Sequence, residues 1–438
     1  MGKYNGTCAK CPVYIKGGIC RGCNNAAVSS MEIMQYYDYG EKAAPRLRDG
    51  LGIALDIGTT TLAFELFDLT DGRRLSVYSA ANSQRSFGAD VVTRIKNATQ
   101  GAARTLHAYI IEDIRNGISN LLAQANVPAD NVRGMVIAGN TTMLHLLHDL
   151  PCDTLGVYPF TPVDITLRAV RFDFLPRCKA LTLPGISTFV GADITAGIFY
   201  LGGIKNETYL LIDLGTNGEM ALVHQGKIFV SSTAAGPAFE AGNISQGIAS
   251  VSGAVTYARY TLESNGFEYK TIGGVSPIGI CGTGVVDITA ELVRHGMVDE
   301  TGRLSDACPN KRVETAPGIY FTQADVREVQ LAKSAIRAGI EILLESARCT
   351  PDDISHVYLA GGFGYKLNTR NAETLGLLPA GMAQKTKAVG NASLGGAAKT
   401  LLTDDPASTA ALAASATEIS LAAHPKFNDL FMEYMMFL

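Results

Sequence analysis

The chain has 438 residues, 47% hydrophobic and 18% charged, a length and apolar content that suit roughly two to three domains with buried cores. Its net charge of -4 and the lack of a basic stripe exclude the clustered cationic face that binding to nucleic acid requires. No apolar h-region follows Met1, and the most apolar stretch, 181–204, is broken by Pro184, Asp193 and repeated glycines, so neither a secretory signal nor a membrane span is expected.

The first 48 residues carry Cys8, Cys11, Cys20 and Cys23, four of the nine cysteines. Two C-x-x-C pairs without a secretory signal read as a metal site in a reducing, cytoplasmic compartment rather than as disulfides. Four thiolates suit zinc or an iron-sulfur cluster alike, and the knuckle-like Cys20-Arg21-Gly22-Cys23 leans toward zinc on spacing. So short a segment, with one short helix expected over 31–39, would need the metal in order to fold.

Beyond a boundary near Arg46 to Gly50 the pattern predicts strands at 53–57, 62–67 and 74–80, joined by a Gly58-Thr59-Thr60 turn and a Thr70-Asp71-Gly72 turn. Leu106, Ile110, Ile114, Ile118, Leu121 and Leu122 then form the stripe of a long amphipathic helix, followed by a short apolar strand at 135–140. The region 181–204 reads as strand, loop and helix. From residue 207 the design repeats, with strands at 209–214, 220–223 and 227–232, a helical stripe of Val329, Ala332, Ile336, Ile340, Leu343 and Ala347, and a strand at 357–362. Two β-β-β-helix-β copies imply two similar lobes with a cleft between them. The expected domains are 1–48, 49–206 and 207–438, the last with an insertion at about 236–321.

The chemistry-bearing residues lie at the turns of this repeat. In Asp56 to Thr61 (DIGTTT) and Asp213 to Glu219 (DLGTNGE), an Asp ends an apolar strand and a Gly-Thr turn follows. The turn residues Gly58, Thr59, Thr60 and Thr61, and their counterparts Gly215, Thr216, Asn217 and Gly218, offer amides and hydroxyls suited to phosphate oxygens. Asp56 and Asp213 are placed to hold Mg²⁺ through water, and Glu219 is a candidate to orient water or the metal. A single such motif would read equally well as an ordinary hairpin; two in matched context favour the phosphate reading. Gly361, Gly362 and Phe363 end the strand after the second helix, where consecutive glycines let a base or ribose lie against the backbone. Asp193, in VGADITAG, is a candidate base or cleft-closing residue, or an ordinary helix N-terminal Asp. His145, His148 and Cys281 read as packing residues.

These residues resemble the superfamily of actin, hexokinase and heat-shock chaperone ATPases, whose phosphate and adenosine motifs match Asp56 to Thr61, Asp213 to Asn217 and Gly361 to Phe363. A closer resemblance, to the ATPase domain of the reductive activators of corrinoid proteins, rests on longer strings. They are SQRSFGADVVTR (83–94), GNTTMLH (139–145), AAGPAFEAGNISQG (234–247), GICGTG (279–284), 330–344 and HPKFNDLF (424–431), and the resemblance spans about 51–438. It implies an α/β fold of two repeated ribonuclease H-like lobes, the actin-like ATPase fold, with Mg-ATP in the cleft. It further implies ATP-driven reduction of cobalt(II) to cobalt(I) in a corrinoid protein of a methyltransferase system, with an electron from an iron-sulfur cluster. Family members usually carry a plant-type ferredoxin domain at the N-terminus or cluster motifs at the C-terminus. This chain has neither pattern, which leaves the four N-terminal cysteines as the candidate site, as a 4Fe-4S cluster on the redox reading, with an upstream electron donor unidentified and a homodimer open. The rivals are a small-molecule kinase using Asp193 as base, an ATP-gated binding module stapled by zinc, and an activator of a different low-potential acceptor.

Overall fold

The computed structural model describes Arg46, residues 48–361 and residues 367–437. The expected helix at 31–39 and the four clustered cysteines lie outside the described residues. The rest divides into two compact units, one made of the described residues up to Tyr200 with Ser393–Ala411, the other of the described residues in Leu201–Ala392 and from Leu412 onward.

In the first unit, β1 (Leu51–Ile57), β2 (Thr61–Asp68) and β3 (Arg74–Ala81) form an antiparallel meander, and β4 (Val132–Gly139), β5 (Arg168–Val170) and β6 (Lys179–Thr182) complete a sheet of order β3-β2-β1-β4-β6-β5. β1 lies antiparallel to β2 and parallel to β4. With neighbours on both edges and elements over both faces, Ile53, Ala54, Leu55 and Ile57 are all fully buried, as a near-continuous apolar run in such a position must be. The helix Ala103–Ala125 buries Leu106, Ile110, Ile114, Ile118, Leu121 and Leu122, the predicted stripe of period 3.6, each large aliphatic side chain contributing about 1.5 to 3 kcal/mol of transfer free energy. It ends at Asn126 in the left-handed conformation, which Asn tolerates.

The stretch 181–204 is the strand, loop and helix expected, the helix being Ala192–Tyr200. A later segment, Ser393–Ala411, returns to this unit. Its helix, Ala392–Thr403, lies so close to Ala192–Tyr200 that a side chain at Gly396 would run into the backbone of Ala196. That approach brings Ser393 to the end of β1.

The second unit repeats the arrangement. β7 (Tyr209–Leu214), β8 (Gly218–His224) and β9 (Lys227–Thr233) form the meander. Next come the inserted strands β10 (Ala254–Thr261), β11 (Gly266–Thr271) and β12 (Gly279–Ile280), then the hairpin of β13 (Arg312–Ala316) and β14 (Ile319–Thr322). The strands β15 (His356–Ala360), β16 (Thr386–Gly390) and β17 (Ala416–Glu418) finish the main sheet in the order β16-β15-β7-β8-β9-β17. The long helix Gln323–Ala347 starts at a capping box in which Thr322 and Asp325 satisfy each other's backbone amides. Its stripe packs on Leu210, Ile212, Met220 and Leu222 in one continuous core.

The last described segment is gripped by this helix. Lys333, only 1% exposed, donates to the carbonyls of Tyr434 and Met436 at 2.6 Å each and lies over the ring of Phe437. Gln330 donates to the Met435 carbonyl at 2.5 Å, and the Arg337 guanidinium stacks on Tyr434. One helix face thus answers three successive carbonyls of the strap.

Candidate functional site

The first Asp-x-Gly-Thr turn is held from behind at every carbonyl. The Gly58 carbonyl accepts from Asn82 Nδ2 at 2.9 Å, the Thr59 carbonyl accepts from Arg94 Nη2, and the Thr60 carbonyl accepts from the Asn82 amide at 2.9 Å. In a trans peptide the N–H points opposite to the preceding C=O. Fixing these three carbonyls therefore aims the amides of Thr59, Thr60 and Thr61 to the other side. The amides of Thr59 and Thr60 donate no hydrogen bond among the described residues. Gly58 is required because its amide meets the Thr61 carbonyl at 3.0 Å, and a Cβ there would sit 2.8 Å from that oxygen.

Asn140 caps the helix Thr141–Leu147 through its Oδ1 and uses its Nδ2 to donate to Thr59 Oγ1 at 3.0 Å. Because that oxygen accepts, the Thr59 hydroxyl proton is left to donate to a ligand. Gly191, whose Cβ would lie 2.6 Å from Asn140 Cα, lets the chain leading to Asp193 pass directly against this cap.

Asp193 occupies the first turn of the helix Ala192–Tyr200, its Oδ1 accepting from the Ile194 amide at 2.9 Å. That is the ordinary helix N-terminal role, yet a second feature sets this carboxyl apart. Burial, and then the negative charge of Asp56, hold it well above the usual carboxylate range. Asp56 Oδ1 in turn accepts from the buried Ser393 hydroxyl at 2.7 Å. The carboxyls of Asp56 and Asp193 make an oxygen donor set for a hard divalent cation, and outward amides beside them suit phosphate. The residues present fit Mg²⁺ with a nucleotide phosphate.

The second turn is built differently. Asp213 stands opposite Glu219 in the β7–β8 ladder. The Gly215 amide donates to the Asn217 carbonyl at 3.0 Å, and Thr216 Oγ1 donates to Glu240 Oε2 at 2.7 Å. The Glu240 side chain reaches solvent, but the surrounding protein raises its pKa, with the Thr216 hydrogen bond acting the other way. Gly218 is buried at the start of β8, with Ile336 filling the space where a side chain would be. Gly361, with φ of +100°, closes against this turn; a Cβ would lie 2.5 Å from the Leu214 carbonyl and 3.1 Å from Asp213 Oδ1. Gly362 and Phe363 lie outside the described residues.

His145 is fully buried, accepting the Val163 amide at Nε2 and therefore donating from Nδ1 to the Thr141 carbonyl. His148 meets the Thr182 hydroxyl at 2.9 Å, and burial pushes its pKa down to about 4. Both are neutral packing residues at neutral pH. Cys281 is buried, its thiol beside the Val255 carbonyl and the Thr283 hydroxyl. Burial pushes the thiols of Cys152 and Cys178 up to about 12, far from the thiolate state that metals require. Among the described residues no group of three or more His, Cys, Asp or Glu side chains is placed to hold a metal. No helix among them is long and apolar enough to cross a membrane.

Asn82, Arg94, Asn140, Glu240 and Ser393 thus belong to the two turns although the motifs do not contain them. Arg94, Asn140 and Glu240 do lie in the strings shared with the corrinoid activators, the one sequence signal for them.

Comparison with known proteins identifies the family. Residues 51–205 match the family model described as the RACo middle region, and residues 207–438 match that of the C-terminal domain of RACo, the ASKHA domain. The chain is 34% identical over 442 residues to the corrinoid activation enzyme RamQ of Eubacterium limosum, covering 94% of this chain and 73% of that protein. It is 27% identical over 419 residues to the [Co(II) methylated amine-specific corrinoid protein] reductase of Methanosarcina barkeri, covering 87% and 76% respectively. A solved structure, the reductive activator for corrinoid, iron-sulfur protein, superposes with a TM-score of 0.80 at 32% identity, covering 90% of this chain and 67% of that one. The chain belongs to the RACo family of reductive activators of corrinoid proteins and has the ASKHA, or actin-like ATPase, fold.

Proposed function

We propose that this chain uses Mg-ATP to return the cobalt(II) form of a corrinoid protein to cobalt(I), in the service of a methyltransferase system. The observation that carries this reading is the pair of family matches over residues 51–205 and 207–438. The first-unit turn supports it chemically, since its amides are aimed away from their carbonyl anchors and two carboxylates stand beside it. Asp56 and Asp193 would hold Mg²⁺, directly or through water, and Thr59 to Thr61 would take phosphate oxygens. In the second unit Gly215, Thr216 and Asn217 would take phosphate oxygens, Asp213 and Glu219 would orient metal-bound water, and Gly361 with Gly362 and Phe363 would lie along the nucleoside.

ATP carries no reducing electron, so the chain's response to it must be conformational. Nucleotide binding or hydrolysis favours the arrangement in which cobalt is more readily reduced. For the electron we propose Cys8, Cys11, Cys20 and Cys23 as ligands of an iron-sulfur cluster, which we take as 4Fe-4S although four thiolates also suit 2Fe-2S. Bound there, the cluster would supply the single electron that cobalt(II) needs, and an upstream donor would replace it. Such thiolates call for a reducing compartment, and we propose the cytoplasm.

The test is anaerobic reconstitution with iron and sulfide, followed by iron, zinc and sulfide analysis and an assay for ATP-dependent cobalt(I) formation on corrinoid proteins. Iron, sulfide and ATP-dependent cobalt(I) are expected. One equivalent of zinc without sulfide would reassign the cysteines to a structural staple. Protein that neither hydrolyses ATP nor forms cobalt(I) would sink the reading.

A further inference from the structure

Arg94 has no exposed surface, and among the described residues none of its hydrogen bonds goes to a carboxylate. Nε donates to the Gly88 carbonyl at 3.0 Å, Nη1 faces Met143 Sδ at 3.2 Å, and Nη2 donates to the Thr59 carbonyl in the first phosphate turn. Asp90, the acidic group that acts on it most strongly, accepts from the amide and hydroxyl of Thr93 as the cap of the helix Val91–Asn97. Burial pulls the guanidinium down to about 10, so it remains charged at neutral pH. A buried cation whose hydrogen bonds go to carbonyls and a thioether, with the charges of Asp90 and Asp113 acting on it without a hydrogen bond, is costly to a fold. The peptide it holds is the one whose amide, that of Thr60, is turned toward the ligand side.

We propose that Arg94 is a positioning residue for nucleotide phosphates: it locks the Thr59 carbonyl so that the Thr60 amide faces the anion, and it sets a buried positive charge one peptide behind it. The inference rests on the nucleotide reading above. A hydrogen bond to a carbonyl polarises the whole peptide group and strengthens its N–H as a donor. Asn82 anchors the flanking Gly58 and Thr60 carbonyls in the same way but carries no charge, so Arg94 alone adds a field that a phosphate feels and a neutral nucleoside does not.

The distinguishing experiment is calorimetric titration of the purified full chain with ATP, ADP and adenosine in the presence of Mg²⁺. Arg94→Ala is expected to weaken ATP and ADP by about tenfold or more, each factor of ten being one lost charge-assisted interaction, while adenosine affinity is unchanged. Added ethylguanidinium should restore ATP affinity to Arg94→Ala, which a merely structural defect would not permit. Arg94→Lys should fall between, because one ammonium does not span the Gly88 and Thr59 carbonyls. Equal loss for adenosine, or native ATP affinity in folded Arg94→Ala, overturns the positioning role and leaves the nucleotide reading standing. A native chain that binds none of the three overturns both. Should Arg94→Ala not fold, Arg94→Lys decides: native ATP affinity overturns the role, and a loss confined to ATP and ADP supports it.

Discussion

The two Asp-x-Gly-Thr turns have nearly the same sequence and opposite surroundings. Behind the first stand a guanidinium and an amide side chain, both donating to its carbonyls. Against the second stands a carboxylate, Glu240, which accepts the proton of the turn's own threonine. Each unit also buries a cation that is answered by backbone carbonyls. In the first unit it is Arg94, under the turn; in the second it is Lys333, under the last segment of the chain. The same device therefore serves a candidate site in one unit and architecture in the other, and the motif alone does not say which turn is the better phosphate donor.

The largest expected effect tests whether the first unit carries the metal. Asp56→Asn should lower Mg²⁺-dependent ATP turnover by about two to three orders of magnitude, the usual scale for a group that stabilises developing charge. Steady-state kinetics over a range of magnesium concentrations measures it. Asp213→Asn, which removes a group that only orients water, should cost less, and an equal loss there would erase the asymmetry between the turns.

The next effect falls on stability and sharpens the contrast in backbone. Gly361→Ala places a Cβ 2.5 Å from the Leu214 carbonyl at φ of +100°, combining strain with overlap, and should cost about 3 kcal/mol. Gly58→Ala meets a carbonyl at 2.8 Å without a positive φ, and should cost about 1 to 2 kcal/mol. Urea unfolding midpoints decide. A larger loss at Gly58 would mean that the first turn, not the second, is the more tightly closed.

Both meanders, both long helices and the strand after each were legible in the sequence because they rest on local patterns: alternation, a 3.6-residue stripe, and Gly-Thr turns. The residues that support the turns were not. Asn82, Arg94 and Ser393 reach the first turn from across the fold, Ser393 bonding to an Asp 337 positions away, and no periodicity announces such a contact. Arg94 and Lys333 are both buried, with carbonyls of other segments lying over them. Asp193 was legible as a helix N-terminal Asp, but its elevated pKa arises from burial and then from the charge of Asp56, both of which only the folded chain supplies.

Lys333 offers a pH-dependent way to break the parallel between the two buried cations. Burial, followed by the charge of Arg337, brings its pKa from 10.5 down to about 7, while the Tyr434 and Met436 carbonyls and the Phe437 ring favour the charged form. Between those values the unfolded chain holds a proton that the native chain has released, so raising the pH favours the native state. The penalty is full below about 7 and is relieved on the way to 10.5. Stability should rise by at most about 1.4 kcal/mol per pH unit in this window, and Lys333→Met should remove that slope. Urea unfolding of both proteins across the window checks it; identical slopes would show that Lys333 stays charged, as Arg94 does.

The smallest effect separates the turns most directly. Thr59 Oγ1 accepts from Asn140, which leaves its proton for a phosphate oxygen, whereas Thr216 gives its proton to Glu240. Phosphate oxygens only accept, so a hydroxyl already donating elsewhere has little to offer them. Thr59→Val, which keeps the shape and removes the donor, should weaken ADP binding by about tenfold, and Thr216→Val by no more than about threefold. Titration of both variants with ADP and Mg²⁺ measures the difference. A greater loss at Thr216 would mean that nucleotide binding pulls this hydroxyl away from Glu240. The carboxylate would then be a resting-state partner that the ligand displaces, and the second turn would be the switch rather than the weaker cradle.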